Sequence, residues 1–141
     1  MYRKASIREG RTDDRAVLFM EARASFGQRP DWRDERTVRV LEQDTVFVAE
    51  VGGALAGFVA LQPDPPSIEI EELLVTAGHE DEDVGAQLLA YAEGWAIWNG
   101  ATALRVIAER DNHSARSLYL LHGFWPCGEE LLERSLPIVE H

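Results

Sequence analysis

The chain has one cysteine, one lysine and no long apolar run. Each shortage excludes something. With Cys127 alone, no internal disulfide can form, and a reducing cytoplasm is the expected compartment. No stretch approaches the roughly 20 apolar residues that a membrane-spanning helix needs, so no membrane role is expected. Met1-Tyr2-Arg3-Lys4-Ala5 leads straight into a strand-like segment, with no apolar signal region. Lys4 is the sole lysine, and acids outnumber bases 25 to 14, for a net charge of -11. Phosphate binding by clustered cations is thereby disfavoured, and nucleic acid is not an expected partner. An acidic field suits cationic ligands such as amines, although acidity of this kind also serves solubility alone. His79, His113 and His122 share no metal-ligand spacing with Cys127, so no metal is expected. Cys127 is expected to be a small buried residue.

What the chain does have is ordered patterning. Its 141 residues suit one domain over 1–141, and 45% hydrophobic with 28% charged residues is ordinary for a globular protein. Ser6-Ile7-Arg8 starts a short strand. Thr12-Asp13-Asp14 caps a helix through about Ser25, with Val17, Leu18 and Ala22 at helical spacing. Asp31 to Gln43 reads as a second helix anchored by Trp32, Val38, Val40 and Leu41. Strands over 45–51 and 54–61 flank a Gly52-Gly53 hairpin turn. Pro63, Pro65 and Pro66 then read as a stiff loop. A central strand runs from Ser67 to Thr76, a helix from about Val84 to Asn99 with Gly100 as its stop, and a strand from Leu104 to Ala108. Trp95 and Trp98 in that helix read as core and rim. A helix over 112–122 and two short strands around Gly128 complete the order β-α-α-β-β-β-α-β-α-β-β. Strands alternating with helices predict an α/β sandwich, a mixed central sheet of about 6–7 strands with about 4 helices.

The densest chemistry lies in Asn112-His113-Ser114-Ala115-Arg116-Ser117-Leu118-Tyr119-Leu120-Leu121-His122-Gly123-Phe124. Asn112 is placed to cap the helix, Tyr119 lies on the inward stripe with Ala115, Leu118 and His122, and Gly123 stops it. The pattern Asn-x-x-Ala-x-x-Leu-Tyr-x-x-x-Gly-Phe closely resembles the C-terminal signature of the GNAT acetyltransferases. The element order is similar to that fold across nearly the whole chain, with the strongest match from Ile68 to Phe124. The resemblance implies acetyl transfer from acetyl-CoA to an amine by direct attack in a ternary complex. It implies that Tyr119 protonates the departing thiolate and that Asn112 touches the coenzyme. It assigns a general base to Glu69 or Glu71 in the central strand. By strand alternation those two share one face, and Glu72 takes the other. Crowded carboxylates raise one another's pKa, as a base for an ammonium substrate requires. The resemblance also implies that Leu73, Leu74 and Val75 pair their backbone with the pantetheine arm, and that Val84, Gly85 and Ala86 present helix-start N–H groups to the pyrophosphate.

At the pyrophosphate loop the chain departs from that pattern. The family reads Gln/Arg-x-x-Gly-x-Gly/Ala, whereas this chain reads Glu80-Asp81-Glu82-Asp83-Val84-Gly85 and keeps only the last glycine. Four negative charges stand where two phosphates should sit. Asp83 is expected to cap the helix with its own carboxylate, taking N–H groups that a phosphate would use. Two readings follow. One is a cytoplasmic N-acetyltransferase whose acceptor is a small amine or a basic peptide. The other is a non-catalytic binding module of the same fold with weakened coenzyme binding. The family commonly forms homodimers, and no residue pattern here marks an interface.

Overall fold

The computed structural model describes residues 4–79 and 83–138. Strand β1 (Ser6–Glu9) leads through a 3₁₀ turn at Thr12–Asp14 into helices α1 (Arg15–Phe26) and α2 (Asp34–Gln43). Three antiparallel strands follow, β2 (Thr45–Val51), β3 (Ala54–Asp64) and β4 (Ser67–Val75). Helix α3 (Val84–Trp98) crosses to β5 (Ala103–Ile107), and α4 (His113–Leu121) leads to β6 (Trp125–Pro126) and β7 (Leu131–Ser135). All seven strands form one sheet in the order β1-β2-β3-β4-β5-β7-β6. Only β4 and β5 run parallel, which is the pairing that requires a helical crossover. The element order and the mixed α/β sheet agree with the reading of the sequence.

Local chemistry explains most boundaries. Gly52 and Gly53 carry φ of 60° and 82°, the left-handed pair that a two-residue hairpin turn demands. Helices α3 and α4 both end in a left-handed glycine. Ala101 N–H donates to Ala96 O, and Phe124 N–H donates to Tyr119 O, closing the same six-residue ring at each end. Pro63 is not in a loop. It lies inside β3 opposite Ile68, because a two-residue turn at Pro65-Pro66 lets the hairpin pairing run to Asp64↔Ser67.

The sheet separates two apolar layers. On one side Val84, Leu88, Leu89, Ala92 and Ala96 of α3 and Tyr119 of α4 pack against Ile68, Ile70 and Leu104. On the other, Leu18 and Ala22 of α1 and Val40 and Leu41 of α2 pack against Val48, Phe58 and Leu74. Trp95 packs against the first layer and Trp98 is exposed. Two expected anchors face outward: Val17 and Val38 are exposed, and Thr37 is buried with Val40 and Leu41 instead. Thr37, Val40 and Leu41 stand three and four residues apart, whereas Val38 is rotated about 100° from Thr37. Helix α2 starts at Asp34 rather than Asp31, with the Trp32 indole N–H donating to Asp34 Oδ1 at 2.6 Å. Cys127 is exposed, not buried, because it sits in the turn between β6 and β7 with its backbone N–H on Leu131 O. Among the described residues, no helix is long and apolar enough to cross a membrane, and no group of three or more histidine, cysteine or acidic side chains is placed to hold a metal ion.

Candidate active site

The site begins where two strands part. β4 pairs with β5 only over Ser67–Ile70, while its pairing with β3 continues to Val75. From Glu71 onward, no strand among the described residues lies against the β4 edge facing β5. A cleft of about 330 Å³ opens at this fork. Its walls come from the β4 segment Glu69 to Leu73, the end of β5, the Asn112, Ala115 and Tyr119 face of α4, and the α1–α2 side with Phe26, Trp32 and Arg36.

A bulge sets the chemistry of the β4 wall. Ala60 pairs with Glu72 and Leu61 with Ile70, so Glu71 is an extra residue without a partner on β3. An inserted residue reverses the alternation of side chains beyond it. Ile68 and Ile70 therefore face the α3 layer, while Leu73 and Val75 face it again after two intervening positions. The expectation that Glu72 points away from Glu71 is thereby corrected. Both carboxylates turn to the same side and meet Arg36 of α2, each at 3.2 Å. Burial raises the Glu72 carboxyl above the usual carboxylate range, against the lowering effect of Arg36. Glu69 is raised as well, by burial and then by the charge of Glu71.

Asp44 lies at the edge of the same acidic group. It is the C-cap of α2, and its Oδ2 is buried with no hydrogen-bond partner among the described residues. Burial, then the charge of Glu71, pushes its carboxyl up to about 7 from an ordinary 3.8; the negative end of a helix acts in the same direction. Since the native value lies above the unfolded one, the ionised form opposes folding. Between about pH 4 and 7 the folded chain keeps a proton that the unfolded chain has released, and stability falls as pH rises through that window. Asp44→Asn is expected to raise Tm by a few degrees at pH 8 and to change it little at pH 4. Equal effects at both pH values in thermal melts would disprove the titration.

On the opposite wall, Asn112 caps α4 as expected, its side-chain oxygen accepting from Ala115 N–H at 3.2 Å. Tyr119 is buried, with its ring edge-on to Phe124 at 5.3 Å between centroids. Its hydroxyl has no hydrogen-bond partner among the described residues. Burial first, and the nearby Glu72 charge second, raise the phenol above its ordinary value.

The start of α3 differs from expectation. Asp83 does not cap the helix with its side chain. It adopts a left-handed backbone, φ 57° and ψ 28°, whereas a capping side chain reaches the first N–H groups from an extended one. Its carbonyl instead accepts from Gln87 N–H at 3.1 Å. Among the described residues, no side chain caps the first turn, Val84, Gly85 and Ala86, and free N–H groups at a helix start suit an anion. Val84 is buried in the α3 layer. Gly85 lets α3 approach α4: a Cβ there would stand 3.2 Å from Leu118 Cδ2. Glu80, Asp81 and Glu82 lie outside the described residues. Leu73 and Val75 face the α3 layer and Leu74 the α1–α2 layer, so this stretch offers the cleft its unpaired backbone edge.

The model of the acetyltransferase (GNAT) family matches residues 12–124. The chain belongs to the GNAT acetyltransferase family. It is 30% identical over 132 residues to the uncharacterised N-acetyltransferase YhfO of Bacillus subtilis strain 168, covering 84% of this chain and 89% of that protein. Among solved structures it is similar to the PaiA N-acetyltransferase of Thermoplasma acidophilum in complex with coenzyme A, with a TM-score of 0.78 and 22% identity over 94% of this chain and 99% of that one. It is also similar to the ribosomal-protein-S18-alanine N-acetyltransferase of Escherichia coli, with a TM-score of 0.77 and 20% identity over 98% and 96% of the two chains. At these identities the structural likenesses speak to the fold.

The family resemblance named Tyr119, Asn112, Glu69, Glu71 and Leu73 to Val75 as site residues, and all of them lie at or beside the β4–β5 fork. It missed Glu72 and Arg36. A bulge has no local signature in Glu-Ile-Glu-Glu-Leu-Leu-Val, and Arg36 is one of several charges on a short helix.

Proposed function

We propose that this GNAT protein is an N-acetyltransferase moving an acetyl group from acetyl-CoA to an amine in a ternary complex. The observation that carries this reading is the fork itself, with an unpaired β4 edge between a buried phenol and a group of carboxylates. Acetyl-CoA supplies an activated acyl group as a thioester. The backbone groups of Leu73, Leu74 and Val75 are available to the pantetheine arm and to the thioester oxygen. The first turn of α3, at Val84, Gly85 and Ala86, where Asp83 supplies no side-chain cap, suits the pyrophosphate, with Asn112 beside the coenzyme. Glu72, whose carboxyl burial raises and whose charge bears on Tyr119, takes the proton from the acceptor ammonium, directly or through water. Glu69 is the second base on the same wall, and Glu71 holds Arg36. Attack of the free amine forms the C–N bond and breaks the C–S bond, and Tyr119 gives its proton to the departing sulfur. No metal enters this chemistry. We read residues 1–141 as one catalytic domain working in a reducing cytoplasm, with Cys127 as an ordinary surface thiol.

Thermal melts with acetyl-CoA test the reading. Coenzyme at 100 times its dissociation constant is expected to add about 2.7 kcal/mol of stability, a rise in Tm of several degrees. No shift at millimolar coenzyme, at low and at high salt, would reject catalysis and leave a non-catalytic module.

A further inference from the structure

The cleft is lined by charges of both signs. Its β4 wall carries Glu69, Glu71 and Glu72, with Arg36 engaged by the latter two. The segment joining α1 to α2 adds Arg29 and Arg33. Neither makes an ion pair with a carboxylate among the described residues. Arg29 lies over the Phe26 ring at 4.5 Å. Arg33 spends one nitrogen on the carbonyls of Pro30 and Trp32, at 3.3 and 2.7 Å, leaving the rest of its fork without a partner. The charge of Arg29 also bears on Glu72 and Glu109, lowering both carboxyls, so it stands within electrostatic reach of the acidic wall. Asp31 and Glu109 line the same cleft, and their side-chain hydrogen bond raises the Glu109 carboxyl against the lowering effect of Arg29. Phe26 and Trp32 add apolar wall.

We propose that the acceptor is a small amino carboxylate, its ammonium directed to the carboxylates on β4 and its carboxylate to Arg29 and Arg33. This rests on the acetyltransferase reading and narrows its acceptor. A diamine or a basic peptide would bring a second cation against Arg29 and Arg33, whereas a carboxylate there would meet their N–H donors. Guanidinium groups match a carboxylate through paired N–H donors. The volume, shared with the tip of the pantetheine arm, suits a compact amino acid with an apolar body.

The test is a paired panel with acetyl-CoA, following release of the coenzyme thiol: leucine and phenylalanine, their carboxamides, and putrescine and spermidine. The acids are expected to exceed their amides and the diamines at least about tenfold in kcat/KM, the worth of one charged hydrogen bond. The amide has the less basic amine and is more deprotonated at neutral pH, so this preference cannot arise from basicity. In the double variant Arg29→Ala/Arg33→Ala the ratio of acid to amide is expected to fall towards one through KM for the acid, with the acetyl-CoA thermal shift retained as proof of an intact coenzyme site. Equal use of acid and amide, a preference for diamines, or a preference surviving in the double variant overturns the acceptor assignment alone. Absence of the coenzyme shift, or of transfer to every amine, overturns the acetyltransferase reading with it.

Discussion

Tyr119→Phe is expected to lower kcat about 10²- to 10³-fold while leaving acetyl-CoA binding and Tm nearly unchanged. The change removes one oxygen and keeps the ring. Its ring contact with Phe124 remains, and no hydrogen bond among the described residues is lost with the hydroxyl. Stability therefore has little reason to move, and any loss of rate reports the proton. Burial raises the phenol above an ordinary 10, so it stays protonated through neutral and mildly alkaline pH. A phenol in that state is a ready hydrogen-bond donor to sulfur as negative charge develops there, and no alkaline loss of rate from its ionisation is expected near neutrality. The acid side of the profile belongs to a different group. Glu72 and Glu69 are raised above 4.5, so activity should climb with pH above the ordinary carboxylate range. That limb should persist in Tyr119→Phe and be displaced or lost in Glu72→Gln. Turnover unchanged in Tyr119→Phe would remove the residue from the mechanism.

Local patterns were readable where the determinant was local. Gly52-Gly53, Gly100 and Gly123 each mark a left-handed position, and Asn112 precedes a helix whose N–H groups it can reach, so turns and helix ends came out where the sequence put them. The failures have tertiary causes. Glu71 bulges because β3 and β4 pair with an offset between Ala60 and Leu61, which only the partner strand determines. Asp83 has a good capping side chain, but a left-handed backbone at that junction carries it away from the first turn. Val17 and Val38 are apolar residues one position off the buried stripe, and on short amphipathic helices composition does not tell which stripe wins. The acidic loop shows the same division. Its charges are plain in the sequence, yet the cap expected from the Asp83 side chain is absent once its backbone is seen.

Gly57→Ala is expected to destabilise the fold by about 2–4 kcal/mol, lowering Tm by about 10 °C. Gly57 is buried in β3, paired with Ala49 on one side and Val75 on the other. An added Cβ would collide with the carbonyl oxygen of Leu74 and press Val84 Cγ1 and Leu88 Cδ1 at 3.1 and 3.2 Å. Leu74 is backbone in a central strand, and Val84 and Leu88 are fully buried, so none can swing aside as a flexible surface chain would. Relief requires moving the start of α3 off the sheet. Both the Leu73 to Val75 edge and the Val84 to Ala86 turn belong to that junction, so the residual folded protein should also show a smaller acetyl-CoA shift. Gly94→Ala supplies the contrast within the same helix. It is exposed with nothing within 4 Å of an added Cβ, and alanine there should stabilise by about 0.5–1 kcal/mol. Comparable melting curves for the two variants would show that the close approach of β3 to α3 does not govern this fold. Opposite shifts, with the coenzyme response reduced only in Gly57→Ala, would tie the geometry of the coenzyme end to one missing side chain.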